Sequence, residues 1–384
     1  MATTIFHNPI KLVFGEGTVD KVGEEAALLG KHALVVIGGS SAKKTGLLDK
    51  VLADLKAHGI ATTVFDGVTP NPRSSTIDEG ARVAVKNNVD LIIGVGGGSV
   101  MDASKAIRLA YSGGRPIFEY YTGAADSKTV TSKAALMLVC TMAATGSEFN
   151  NGAVVTNWDT HEKRFILAPL YYPSVSIVDP ALTLSMPVAQ LAKGGVDIFM
   201  HVVENYITHQ GGAPMADALR EAIMKVVVEW LPLSVKDPSN LEARANLSWA
   251  STLACSQIIT LGGGAGYRPI HLIEHPVSGY FDVSHGDGLS ALLPAWLRQS
   301  MDVRGDRIAK VGRNVFGVEK DAVGAIENWL DSVGMKITLR QLGVTEDKFE
   351  AMAKTALDTS RGLLAKDAVH NSVESIAGLY RAAY

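Results

Sequence analysis

The sequence predicts two domains: an α/β N-terminal domain on a Rossmann-like parallel sheet, then an all-α C-terminal domain. Three observations carry this. Strand-length apolar runs alternate with helix-length segments through the first half, a glycine-rich turn follows one of those runs, and beyond Met186 the periodicity becomes helical throughout. At 384 residues the chain exceeds what a single core usually serves, so domains at 1–185 and 186–384 are expected.

Taken in order, the first half offers a short N-terminal strand at Ile10 to Phe14, then the run HALVVIG from His32 and a helix from Lys43 to Gly59. The strand TTVFDG, a helix from Ser75 to Asn88, the strand opening DLIIGVGGGS and a helix from about Val100 to Tyr111 follow. Ala134 to Cys140 adds another buried strand. Runs that are apolar on both faces belong in a parallel sheet covered by helices. Gly38-Gly39, Pro70-Asn71-Pro72 and Gly113-Gly114 punctuate them as turns. In the second half Val196, Met200, Val203 and Ile207 form one helical stripe. The boundary is expected near Asp179-Pro180 or Met186-Pro187, because proline drives its predecessor out of the helical region.

Composition excludes several classes. A chain that is 47% hydrophobic and 20% charged, with net charge -3, has no bias toward nucleic acid or acidic lipid. The longest apolar stretch, Ala134 to Ala144, is far short of the roughly 20 residues a spanning helix needs. No secretory signal pattern opens the chain, so a cytoplasmic location is expected. Cys140 and Cys255 have no paired spacing, and both read as buried small hydrophobes.

The turn Gly96-Gly97-Gly98-Ser99 links a buried strand to a helix that opens through Asp102, Ser104 and Lys105. Glycines let backbone N–H groups approach a phosphate closely, and a helix N-terminus adds about half a positive charge. A pyrophosphate suits this turn, although a tight strand-to-helix connection would use the same residues. Thr141 to Glu148 (TMAATGSE) forms a second polar turn after a strand. Two such turns at strand ends suit a dinucleotide at the sheet's carboxyl edge. After His32 to Ile37 no acidic residue waits for the adenosine ribose; Gly38-Gly39-Ser40-Ser41, with Lys43 and Lys44 behind, leaves room and charge for a 2′-phosphate. NADP(H) is therefore expected in preference to NAD(H), with a plain polar turn as the competing reading.

Four of the ten histidines fall in two short helical segments of the second half: His201, His271, His275 and His285. Asp197 and His201 are one helical turn apart, as are His271 and His275, so each pair shares a helix face. One carboxylate with several imidazoles is a borderline donor set suited to Fe(II), with Zn(II) also compatible. A lone helical histidine is more often a packing residue, but joint spacing favours a metal site.

VGGGSVMDASKAI from Val95, MAATGSE from Met142, VDPALT from Val178, GVDIFMHVVENYIT from Gly195 and HLIEHPVSGYFDVSHGDGLS from His271 together resemble the iron-containing, group III alcohol dehydrogenase family over essentially the whole chain. Within it the chain looks closest to NADP-preferring butanol dehydrogenase and aldehyde reductase members, chiefly through GGSSAKKTG. The resemblance implies a dehydroquinate synthase-like architecture, with Asp197, His201, His271 and His285 as metal ligands. It implies that His275 sits beside the nicotinamide and helps move a proton. Gly97, Gly98 and Ser99 would cradle the pyrophosphate, with Asp102, Thr141, Thr145 and Ser147 near the nicotinamide end, Asp102 also having an implied part in catalysis. Gly38, Gly39, Ser40, Asn71, Met142 and Leu182 complete the implied cofactor contacts, Met142 standing where the family more often has a polar residue. Lys163 matches a cofactor-cleft lysine with a part in catalysis, against the simpler reading of a solvated lysine in THEKRF. A homodimer paired through the N-terminal strand is also implied.

These parts describe hydride transfer between NAD(P)H and a small aliphatic aldehyde or alcohol on a metal Lewis acid. A dehydroquinate synthase-like lyase would share the architecture, but its polyanionic substrate calls for more Lys and Arg near the metal helices. A non-haem iron oxygenase needs only two histidines and a carboxylate, and a non-catalytic metal-binding protein leaves the glycine-rich turns without a purpose.

Overall fold

The computed structural model describes residues 5–209 and 211–384. Two compact units emerge. The first comprises His7–Thr160 and Arg164–Met186, and the second is Pro187–Tyr384 with the short segment His161–Lys163.

The first unit is built on six strands: β1 (Lys11–Phe14), β2 (His32–Gly38), β3 (Ala61–Val68), β4 (Leu91–Gly96), β5 (Ala135–Cys140) and, after a separate pair, β8 (Val175–Val178). They lie in the order β1-β8-β5-β4-β2-β3, every pair parallel. Alternate residues serve opposite faces. Leu34, Val36, Ile92, Leu136 and Leu138 pack with Ile77, Ala81 and Ala84 of the helix Ser74–Asn87 and with Met101 and Ile107 of the helix Gly98–Gly113. Ala33, Val35, Ile37, Ile93, Val95 and Val139 face Leu48, Val51 and Leu55 of the helix Leu47–Ala57. Such burial on both sides is why these strands carry uninterrupted apolar runs.

The chain winds outward from β2 to β3 and then returns to place β4 on the other side of β2. That reversal creates a crevice at the carboxyl ends of β2 and β4, where open α/β sheets take their ligands.

Three local expectations need correction. The segment Lys43–Gly59 is not one helix: Ser41–Lys44 and Leu47–Ala57 are separated at Gly46, whose φ of 74° is left-handed. The helix after β4 starts at Gly98 rather than Val100, so the glycine turn forms its first turn. A two-stranded sheet of β6 (Gly152–Asn157) and β7 (Glu162–Leu167) had no counterpart among the expected strands.

The second unit has no strand among its described residues beyond the Glu162–Lys163 start of β7, and every residue of Val196–Thr208 is buried. The helices Val188–Thr208, Pro269–Phe281 and His285–Gln299 carry the metal-type residues.

Candidate active site

In the α/β unit, Gly94 and Gly96 are packing glycines. A Cβ on Gly94 would fall 2.4 Å from Ser104 Oγ, and one on Gly96 would fall 2.6 Å from Val100, so their absence lets the following helix lie close on β4. Gly97 and Gly98 approach the second turn instead, their added Cβ atoms meeting Met142 at 3.2 Å and Thr145 at 2.4 Å. The expected cofactor residues Gly97, Gly98, Ser99, Thr141, Met142 and Thr145 are thus neighbouring turns at the ends of β4 and β5.

Asp102 and Lys105 fasten this region. Asp102 Oδ1 accepts from Ser147 Oγ at 2.6 Å and its Oδ2 from the Val154 N–H at 2.8 Å. The fully buried Lys105 donates to the carbonyls of Asn150 and Gly152 at 3.0 and 2.8 Å. In the sequence Lys105 is marked only by its place near a helix start.

At the end of β2, Gly39 has a φ of 48° and open space where a side chain would be, and Ser40 is exposed. Lys43 forms an ion pair with Asp66 of β3, so of the two lysines placed behind this turn one already has a carboxylate partner. Asn71 is buried with φ of 51° in the turn after β3, and Leu182 is half-buried in the turn Pro180–Ser185.

In the helical unit, Asp197, His201 and His271 each offer one ligand atom, and these atoms lie within 4.8 Å of one another. Asp197 Oδ1 is 3.5 Å from His201 Nδ1, 3.7 Å from His271 Nε2 and 3.9 Å from His285 Nε2. These gaps are too long for hydrogen bonds, yet they approach the edge of about 3.4 Å expected between two donors on one tetrahedral ion. Asp197 Oδ1, His201 Nδ1 and His271 Nε2 are buried without any hydrogen-bond partner. Buried polar atoms are seldom left so, and a cation among them would satisfy all three. The donor set therefore fits a divalent first-row metal, His285 being slightly outside the tight trio.

Electrostatics agree. Burial opposes the charge on Asp197, yet the imidazoles of His201, His271 and His285 hold its pKa well below the ordinary carboxylate value. Burial likewise opposes protonation of His271, but Glu204 and Asp197 outweigh it and raise the pKa to about 9. Burial, reinforced by Lys163, pushes His275 well below its ordinary value, and burial also lowers His285. His275 stays outside the trio, its ring centroid 6.0 Å from that of His285.

Lys163 is not solvated. It is buried in the helical unit, with Nζ 3.1 Å from Ser278 Oγ, 3.5 Å from Glu274 Oε2 and 3.4 Å from His285 Nδ1. Cys255 also departs from its reading as an inert hydrophobe. Arg268 Nη1 donates to its sulfur at 3.3 Å, and although burial raises the thiol's pKa, Arg268 and His201 bring it down to about 5. Cys140 behaves as expected, with burial pushing it up.

Comparison with known proteins places the chain among relatives of both halves. Residues 9–180 match the family profile described as "Iron-containing alcohol dehydrogenase", and residues 191–384 match "Fe-containing alcohol dehydrogenase family, C-terminal". The chain is 35% identical to NADH-dependent butanol dehydrogenase A of Clostridium acetobutylicum, over 93% of each protein. The chain belongs to the iron-containing alcohol dehydrogenase family.

This dehydrogenase is also 30% identical to the NADPH-dependent aldehyde reductase YqhD of Escherichia coli, over 91% of each. The crystal structure of NADH-dependent butanol dehydrogenase A from Thermotoga maritima superposes with a TM-score of 0.91 at 30% identity, covering 100% of this chain and 99% of that one. The reaction class is that of an iron-type NAD(P)-dependent alcohol dehydrogenase or aldehyde reductase. No helix among the described residues is long and apolar enough to cross a membrane.

Proposed function

We propose that this dehydrogenase interconverts small aliphatic aldehydes and alcohols, with NADP(H) preferred over NAD(H) and Fe(II), or Zn(II), held by Asp197, His201, His271 and His285. The observation that carries the metal reading is the trio of buried, unpartnered donor atoms on Asp197, His201 and His271. We take the enzyme to be a cytoplasmic homodimer.

Bound to these groups, the ion supplies Lewis acidity toward the substrate oxygen and the dinucleotide supplies the hydride. The glycine turn Gly97-Gly98 and Ser99, with Thr141, Met142, Thr145 and Ser147, supports the pyrophosphate and nicotinamide reading because its backbone opens a helix N-terminus at the switch point of the sheet. Asp102 holds that cradle in shape through Ser147 and Val154. Gly39 and the exposed Ser40 leave space for a 2′-phosphate after Gly38, with Lys44 behind the turn as a nearby cation. Asn71 and Leu182 are assigned to the cofactor's edges. His275, kept neutral by burial and by Lys163, has an imidazole able to accept a proton when an alcohol is oxidised. Lys163 is itself buried, held by Ser278 and Glu274.

Purified protein, stripped of metal and reloaded separately with Fe(II) and Zn(II), is assayed by nicotinamide absorbance with butanal and each reduced cofactor. Turnover restored by metal, with the larger kcat/KM for NADPH, is expected. Metal-independent turnover would sink the ligand reading, and a larger kcat/KM for NADH would sink the cofactor preference.

A further inference from the structure

Two glutamates in the helical unit, Glu204 and Glu274, are completely buried, and neither is a member of the ligand trio. Burying a carboxylate costs several kcal/mol unless partners compensate, so their partners indicate their use.

Glu204 lies seven residues after Asp197 on the helix Val188–Thr208, on the same stripe as Asp197 and His201. Its Oε1 accepts a hydrogen bond from His271 Nδ1–H at 2.5 Å, and its Oε2 accepts from the N–H of Ile270 at 2.6 Å. Glu274, on the next ligand helix, accepts from His285 Nδ1 and from Ser278 Oγ, with Lys163 Nζ 3.5 Å away. Gly288 makes room for it, since a Cβ there would fall 2.7 Å from Glu274 Cγ.

We propose that Glu204 and Glu274 are positioning residues of the metal centre, each binding Nδ1–H of one ligand imidazole and thereby turning its Nε2 to the ion. The inference rests on the reading of His271 and His285 as ligands. A neutral imidazole has two tautomers, and a carboxylate on Nδ1 selects the one whose Nε2 lone pair is free. Both Nε2 atoms are the ones that approach Asp197 Oδ1, at 3.7 and 3.9 Å. The negative partner also makes the imidazole a stronger donor. Lys163 acts on the same chain of contacts as the counter-ion of Glu274. The three ligand helices are thus tied in series, Glu204 reaching from the first to the second and Glu274 from the second to the third.

A purely structural role is the competing explanation, because Glu204 also caps the N-terminus of the Pro269–Phe281 helix. Full-length wild type, Glu204→Gln, Glu274→Gln and His271→Ala are freed of metal, checked by circular dichroism and titrated with Zn(II) against a chromophoric chelator. The Co(II) d–d spectrum of each is recorded as well. The two Gln variants are expected to weaken Zn(II) binding by about 10–100-fold and to shift the Co(II) bands. Affinity within threefold of wild type, even with lowered apo-protein melting, would leave capping alone and overturn the proposal.

If a Gln variant does not fold, Gly288→Ala, which crowds Glu274, and long-range proton–nitrogen spectra of Zn(II)-loaded wild type decide. Protonated Nδ1 on both His271 and His285 is expected, and metal on either Nδ1 overturns it. Wild type that takes up no Zn(II), or His271→Ala that retains wild-type affinity, would instead defeat the ligand reading itself.

Discussion

His271 and His275 stand one turn apart on one helix, but their surroundings differ. His271 has a carboxylate on each side, Glu204 at Nδ1 and Asp197 near Nε2, and its pKa is raised to about 9 against the opposing effect of burial. His275 faces burial and the Lys163 cation, which both disfavour its protonation. One site is prepared for a positive ion and the other for a neutral base. His271→Ala is therefore expected to lose bound metal and nearly all turnover, whereas His275→Ala keeps close to one metal per chain and loses turnover with a changed pH–rate profile. Elemental analysis beside pH–rate profiles checks this; metal lost from His275→Ala and kept by His271→Ala would shift the ligand set by one helical turn.

At the scale of elements, the C-terminal helices are joined by polar contacts far from the metal site. His370 is fully buried, its Nε2 donating to Gln299 Oε1 at 2.8 Å, and burial lowers its pKa to about 4. In the unfolded chain the same group titrates near 6.5. Between those values the unfolded state binds a proton that the folded state refuses, so stability is full above about pH 6.5, falls as the pH drops and levels off below about 4. His370→Gln should flatten that limb by on the order of 2 kcal/mol in urea titrations of metal-free protein at pH 7.5 and 5. An unchanged difference between the two pH values would refute it. The elements read well from sequence are those whose signal is local. The runs His32–Gly38 and Leu91–Gly96 are apolar throughout, and the spacing of Asp197 and His201 survives any packing. What escaped depends on distant partners. Glu204 and Glu274 look like ordinary helical glutamates until His271 and His285 are brought to them. Lys163 sits in a charged hexapeptide and is buried only because Ser278 and Glu274 receive it. β6 and β7 are joined by a polar turn, and β7 opens on the charged run Glu162-Lys163-Arg164 rather than on the apolar run that marks the central sheet strands.

For the whole molecule, the metal reading has a thermodynamic consequence. Without a cation, three buried donor atoms have no partner and the carboxylates of Asp197, Glu204 and Glu274 lie within one buried region, so the apo helical unit carries an unfavourable polar core. A ligand that binds only the folded state adds RT ln(1 + [L]/Kd), about 4 kcal/mol at 1,000 times Kd. For a unit of this size, a gain of that order raises Tm by roughly 10 °C. Scanning calorimetry of full-length protein with excess Zn(II) and with a strong chelator should show that separation. His271→Ala, which lacks one of the unpartnered donors, should melt at nearly the same temperature under both conditions. A wild-type Tm indifferent to Zn(II) would mean that the buried donors are satisfied in some other way, and a His271→Ala shift as large as that of wild type would place the ion elsewhere in the chain.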